Sequence, residues 1–149
     1  MNLGTLSISS PDFDDQSRIP DRFSADGGND VPGLTFAGAP EGTVELAVVV
    51  HDPDAPLPRG FTHWVVYGIH PAETELDVQA EGVRQAANSA GAPQWYGPQP
   101  PKGHGPHHYY FWVYALSRPV EGTPSYEEFL DTYADAILEQ ARTVGTFSN

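Results

Sequence analysis

The sequence predicts an all-β (mainly β) domain, a sandwich of two antiparallel sheets with one C-terminal helix. Three observations predict it. Fifteen glycines and fifteen prolines break the 149 residues into short pieces, a pattern of brief elements joined by turns. Three of those pieces, Val44–His51, Thr62–Ile69 and Tyr109–Leu116, are largely β-branched, apolar and aromatic, as central strands buried on both faces are. Only one segment, late in the chain, carries helix signals, and many strands followed by one helix suggest a sandwich with that helix on an edge or face.

The elements follow in order. Leu3–Ile8 alternates apolar and polar residues, as a half-buried strand does. Ser10–Gly33 is polar and loop-like, with turn chemistry at Asp26-Gly27-Gly28-Asn29. Val44–His51 starts alternating and becomes fully apolar, and Asp77–Ala92 has a weak pattern compatible with short strands. The helix is expected from Tyr126 to about Thr143. Ser125 and Glu128 form a Ser-x-x-Glu capping box just after Pro124. Phe129, Tyr133, Ile137 and Ala141 then recur at four-residue spacing, and Gly145 is a natural stop. No repeat and no linker divides the chain, so one domain spanning 1–149 is expected, long enough to bury a core unaided.

Composition excludes several classes. There is no cysteine, hence no disulfide, no thiolate chemistry and no zinc site built on sulfur. Twenty acids against seven bases give a net charge of −13, with Lys102 the only lysine. No basic stripe exists to neutralise phosphates, so nucleic acid is not an expected partner, and docking on an anionic membrane is disfavoured for the same reason. The acids are spread along the chain, which reads as a surface adapted to a salty cytoplasm, that of a halophilic archaeon, where hydrated carboxylates repel one another less. The competing reading is an ordinary acidic protein with a chance shortage of lysine. Met1–Ser10 lacks a basic region followed by an apolar run, and no run approaches a membrane span. A cytoplasmic location is the expectation.

Two segments carry the candidate chemistry. His51-Asp52-Pro53-Asp54-Ala55-Pro56 leaves the Val44–Val50 strand, which must end where the prolines begin. Asp52 and Asp54 flank a proline and point to different sides, so one can face inward while the other caps the turn. His63 opens the next strand at the same sheet edge, where a carboxylate would orient its ring and raise its pKa, keeping it charged for an anion. The second segment, Tyr96 to Tyr109, is a Pro/Gly loop, rigid and able to approach a ligand closely. By alternation, His107 and Tyr109 share a face while His108 points to the other. Taken singly, each residue is also what a strand edge or a turn cap ordinarily holds. His104, His107 and His108 lack metal-ligand spacing, so neither a metal nor any other cofactor is expected. Ser89 is not set in a Gly-x-Ser-x-Gly elbow, which leaves a serine hydrolase weakly supported. Lys102 reads either as a steering charge at a pocket rim or as an ordinary exposed loop residue.

Together these segments resemble the phosphatidylethanolamine-binding protein family, in its prokaryotic Raf-kinase-inhibitor-like branch. The resemblance rests on Asp52-Pro53-Asp54-Ala55-Pro56, His63-Trp64, Asn88-Ser89, Tyr96-Gly97-Pro98 and Pro100-Pro101-x-Gly-x-Gly-x-His107-x-Tyr109. It implies a two-sheet sandwich with a C-terminal helix and a small pocket for phosphate-like or carboxylate groups. Asp52, His63, His107 and Tyr109 would line that pocket, with Pro101 and Gly97 shaping its rim. It implies no enzyme but a ligand-binding modulator of a signalling or metabolic partner; the alternatives are an inhibitor of a kinase or protease, or a weak hydrolase using the Asp–His cluster. A homodimer is expected only by analogy, and a cis Ala55–Pro56 bond, with Arg59–Gly60 as second candidate, is implied as the turn that faces Asp52 inward. His108 stands where the family commonly has Arg, and Val31 where Ser or Thr precedes the proline.

Overall fold

The computed structural model describes residues 4–149. In chain order the elements are β1 (Ser7–Ser9), β2 (Ser17–Arg18), β3 (Thr35–Ala37), β4 (Glu45–Asp52), β5 (Phe61–Ile69), β6 (Arg84–Ala86), β7 (His107–Leu116), α1 (Tyr126–Tyr133) and β8 (Ile137–Phe147). Single 3-10 turns sit at Asp21–Phe23 and Ala134–Ala136. A six-stranded sheet runs β2-β8-β7-β4-β5-β6, and β1 pairs with β3 as a two-stranded second sheet.

The three apolar segments form the centre of the large sheet, as their composition predicts. They bury both faces because each face has its own cover. Val48, Val50, Trp64, Val66, Phe111 and Val113 pack under β1, β3 and the long loops, against Ile8, Phe13, Phe23, Phe36 and Trp95. Ala47, Val49, Val65, Tyr67, Tyr114 and Leu116 pack under α1, against Val120, Phe129 and Tyr133. Phe129 is fully buried, and truncating such a side chain to alanine costs about 3–5 kcal/mol, so this one contact accounts for much of the helix's docking.

The expected two-sheet, mainly β architecture with one helix late in the chain is present, with differences of detail. The second sheet has only two strands, and the large sheet is not wholly antiparallel, since β2 runs parallel to β8. The first expected strand is Ser7–Ser9, and Leu3 lies outside the described residues.

The helix is the larger correction. Its capping box is present, with Glu128 N–H donating to Ser125 Oγ and Ser125 N–H donating to Glu128 Oε1, but it stops at Tyr133. The expected second half is the eleven-residue strand β8, paired with β7 along nearly its whole length. A spacing of four residues marks one helix face. Phe129 and Tyr133 lie on one face of α1, whereas in β8 a register shift opposite Ala115 and Leu116 leaves Ile137 on the helix side of the sheet and Ala141 on the other. Without β8, the long strand β7 would present an unpaired edge. Gly145, expected as a helix stop, is inside β8, where a Cβ would come within 2.5 Å of the Ile19 side chain.

Candidate functional site

The antiparallel order brings the C-terminal end of β4 and the N-terminal ends of β5 and β7 to one sheet edge. Asp52, His63, His107 and Tyr109 all lie there, and all are buried. Strand alternation places Asp52, His107 and Tyr109 on the Trp95 face. His63 reaches that face by another device. The β4–β5 register shifts between the Val50–Trp64 and His51–Thr62 pairs, a bulge that leaves His63 unpaired and turns it to the same side as Trp64.

These four side chains join Ala55, Pro56, Leu57, Phe61, Tyr96, Gln99, Pro100 and Pro101 around a cavity of about 260 Å³. No lysine or arginine lines it among the described residues. Gly97, expected at the rim, is not in the wall. It backs the loop, where a Cβ would lie 2.1 Å from the Phe23 carbonyl oxygen, and its N–H donates to Asn29 Oδ1 at 2.6 Å. Lys102 is exposed and outside the wall.

Asp52 orients His107 and not His63. Its Oδ2 accepts from His107 Nδ1 at 2.6 Å, and its Oδ1 accepts from the Asp54 N–H at 2.7 Å. That second bond makes the turn facing Asp52 inward, so the expected cis bonds are not needed: no peptide bond among the described residues is cis, Ala55–Pro56 and Arg59–Gly60 included. The chain instead reverses through Leu57 N–H to Ala55 O, Gly60 N–H to Leu57 O, and a positive φ of 69° at Gly60.

The other nitrogen of His107, Nε2, lies 2.6 Å from His104 Nδ1. Since Nδ1–H of His107 faces a carboxylate, a neutral His107 accepts at Nε2 and His104 donates. The result is a carboxylate–imidazole–imidazole chain from the buried Asp52 to the exposed His104. Sequence reasoning weighed His104 only as a metal ligand. Its spacing from His107 across Gly105-Pro106 was the available signal, and only the turn there brings the two rings together.

His63 is held differently. Its Nδ1 lies 2.5 Å from the Tyr96 carbonyl oxygen, which can only accept, so Nδ1 carries the hydrogen and Nε2 a lone pair. Phe61 and Tyr109 pack on the ring at 4.7 and 5.1 Å between centroids. Burial pushes its pKa down to about 4, against the upward pull of the Tyr96 bond, and His51 and His107 lower it further. The expected standing charge on His63 is therefore corrected: desolvation outweighs any neighbouring carboxylate.

Burial, and then the charges of Asp52 and Asp54, raise the pKa of Tyr109, which keeps its hydroxyl protonated. That hydroxyl and His63 Nε2 have no hydrogen-bond partner among the described residues, and neither is sealed from the cavity. His108 points away, as alternation predicts. Its backbone N–H and Nδ1 both meet Asp54 Oδ2, at 2.8 and 2.9 Å. Burial pushes Asp54 up, but the His108 bonds outweigh it and leave the carboxyl below its ordinary value.

Asn88 and Ser89 brace the second loop from behind. Asn88 donates to the Gln94 carbonyl and accepts from Ala90 and Ala92. Ser89 exchanges bonds with Thr62, accepting its N–H at 2.8 Å. Ser89 is thus on the other side of the sheet edge from Asp52 and His107, outside the cavity wall.

This fold and site define a two-sheet β protein with a small His/Asp/Tyr cavity where three strand ends meet. The chain belongs to the phosphatidylethanolamine-binding protein family, whose model matches residues 9–148. It is 41% identical over 146 residues to LppC of Mycobacterium tuberculosis, covering 95% of this chain and 72% of that protein. It is 35% identical to a UPF0098 protein of Methanothermobacter thermautotrophicus, covering 99% and 98% of the two chains. The crystal structure of Escherichia coli YbcL, described as a new member of the mammalian family, superposes with a TM-score of 0.90 at 30% identity, covering 98% of this chain and 99% of that one. Among the described residues no helix is long and apolar enough to cross a membrane.

Proposed function

We propose that this protein reversibly binds a small anionic group, a phosphate, phosphoester or carboxylate, in the cavity at the Asp52 end of the sheet, without catalysing its conversion. The observation that carries this reading is Tyr109. The residue is 1% exposed, yet its hydroxyl has no partner within the described chain and opens on the cavity. The hydroxyl itself is reached from the cavity, so a ligand entering there can take its hydrogen bond. The outer wall of Ala55, Pro56, Leu57 and Pro101 is apolar, and Leu57 is 52% exposed. That gradient suits a ligand whose anionic end enters first and whose apolar substituent rests at the mouth.

The short Pro56–His63 connection supports a place in the prokaryotic Raf-kinase-inhibitor-like branch, and family membership supports a role as modulator of a signalling or metabolic partner. The dispersed acidic charge supports salt adaptation and a cytoplasmic setting away from anionic membranes.

Calorimetric titration with phosphate and phosphoethanolamine tests the reading. Tyr109→Phe removes a hydroxyl with no partner in the chain, so it is expected to fold as stably as the parent while losing about tenfold in affinity. No saturable heat from the parent protein, or undiminished affinity in Tyr109→Phe, would sink it.

A further inference from the structure

We infer that an anion enters this site together with a proton, which Nε2 of His63 takes up from solvent. This rests on the anion-binding reading above and adds how the site meets the ligand's charge. The wall holds no fixed cation among the described residues, and its carboxylate, Asp52, is already bonded to His107. The Tyr96 carbonyl holds the Nδ1–H of His63, so the neutral ring turns a lone pair into the cavity. Nε2 of His107 faces His104 and offers the cavity no N–H. An arriving anion therefore meets only neutral donors, the Tyr109 hydroxyl and the second amide N–H of the exposed Gln99, beside a lone pair and a carboxylate. Burying a charge on those terms is strongly unfavourable.

One proton on Nε2 reverses this. The lone pair becomes an N–H donor bearing positive charge, and the ring need not turn, because Nδ1 keeps its bond to Tyr96. The titratable groups on the ring's side are Asp52 from β4, His107 and Tyr109 from β7, and Tyr96 from the second loop. The charge of His51 acts on it from the opposite face of β4. His51 and His107 oppose a charge on His63, and burial opposes it most, so the empty site is unprotonated at neutral pH. The anion supplies the missing counter-charge, and the two charges enter together.

Sulfate is the probe, because it has no titratable proton between pH 5 and 8 and any uptake is the protein's own. Calorimetry at pH 7 in buffers of differing ionisation enthalpy is expected to give about one proton taken up per sulfate bound. The sulfate affinity is expected to fall about tenfold per pH unit from pH 5 to 7. Nitrogen-15 spectra of the histidine rings should show His63 passing from the neutral Nδ1–H form to the imidazolium on saturation. His63→Gln should abolish the uptake, and uptake retained in that variant would overturn the assignment to His63. If the variant does not fold, the ring spectra of the unsubstituted protein decide. Saturable sulfate binding with no proton uptake, or with His63 still neutral, overturns this inference and leaves the anion reading standing. Absence of saturable binding by both sulfate and phosphate overturns the two together.

Discussion

The two faces of the β4–β5 pair offer a direct comparison. On one face Asp52 and His63 border the cavity described above. On the other, the neighbouring residues His51 and Thr62 border a larger one, about 350 Å³ against 260 Å³, with Arg59, Asn88, Ser89, Ser125, Tyr126 and Glu127. Size favours the second cavity, but most of its polar groups answer one another. His51 Nδ1 meets Thr62 Oγ1 at 3.0 Å, Ser89 Oγ accepts from Thr62 N–H, Tyr126 pairs with the Tyr114 hydroxyl, and Arg59 pairs with Glu127. In the first cavity, Tyr109 Oη and His63 Nε2 are left without partners among the described residues. The contrast is one of degree, most polar groups of the second cavity being paired with one another while two of the first face inward unpaired, and it is what the binding proposal rests on.

The comparison can be broken most forcefully at Asp52. Asp52→Ala leaves the His107 Nδ1–H buried without its acceptor, which costs about 1–3 kcal/mol. Urea denaturation should show that loss together with loss of phosphate binding; a fully stable variant would mean the pair does not organise the site.

The next effect is the pH dependence of stability. His63 has a folded-state value of about 4, below the ordinary value of about 6.5. Between those values the unfolded chain binds the proton and the folded chain does not, so stability is complete above about pH 6.5 and declines as pH falls toward 4. The slope is about 1.4 kcal/mol per pH unit, or about 3 kcal/mol in all. Burial also lowers the value of His51, which adds in the same direction. His63→Gln should flatten the profile in denaturation measured from pH 7 to 4, and an unchanged slope would locate the acid sensitivity elsewhere.

On the opposite face, Ser89→Ala removes the acceptor of the Thr62 N–H and should cost about 1 kcal/mol with phosphate affinity unchanged. A large fall in affinity there would erase the distinction between the two cavities. The smallest expected effect separates neither face. If the net charge of −13 reflects salt adaptation, circular dichroism should show structure weakened at low salt and restored by added salt, whereas a fully folded, equally stable protein without salt counts against it.

Much of this molecule was legible in its residues. The central strands were, because continuous apolar runs bounded by Gly and Pro have few other uses. The site was legible as a set, since strand alternation and the two proline-bounded loops bring Asp52, His107 and Tyr109 to one edge. The second half of the helix was misread because Ile137 and Ala141 fit a four-residue spacing by coincidence. They face opposite sides of the sheet across a bulge in β8, and only the need of β7 for a partner makes that segment a strand. His104 was missed as a member of the site because the turn at Gly105-Pro106, and not any periodicity, folds it onto His107. Gly97 was assigned to the rim, yet it packs on the Phe23 backbone, a contact between segments far apart in sequence.

By itself, then, the sequence determined the strand-rich architecture, the meeting of two loops at one sheet edge and the residue types gathered there, all of which follow from local pattern. Tertiary structure alone decided which histidine Asp52 holds, the bulge that turns His63 inward, and the charge that His63 carries. Those depend on burial and on partners tens of residues away, and the depth at which a ring loses its water is a property of the packed molecule that no local pattern contains.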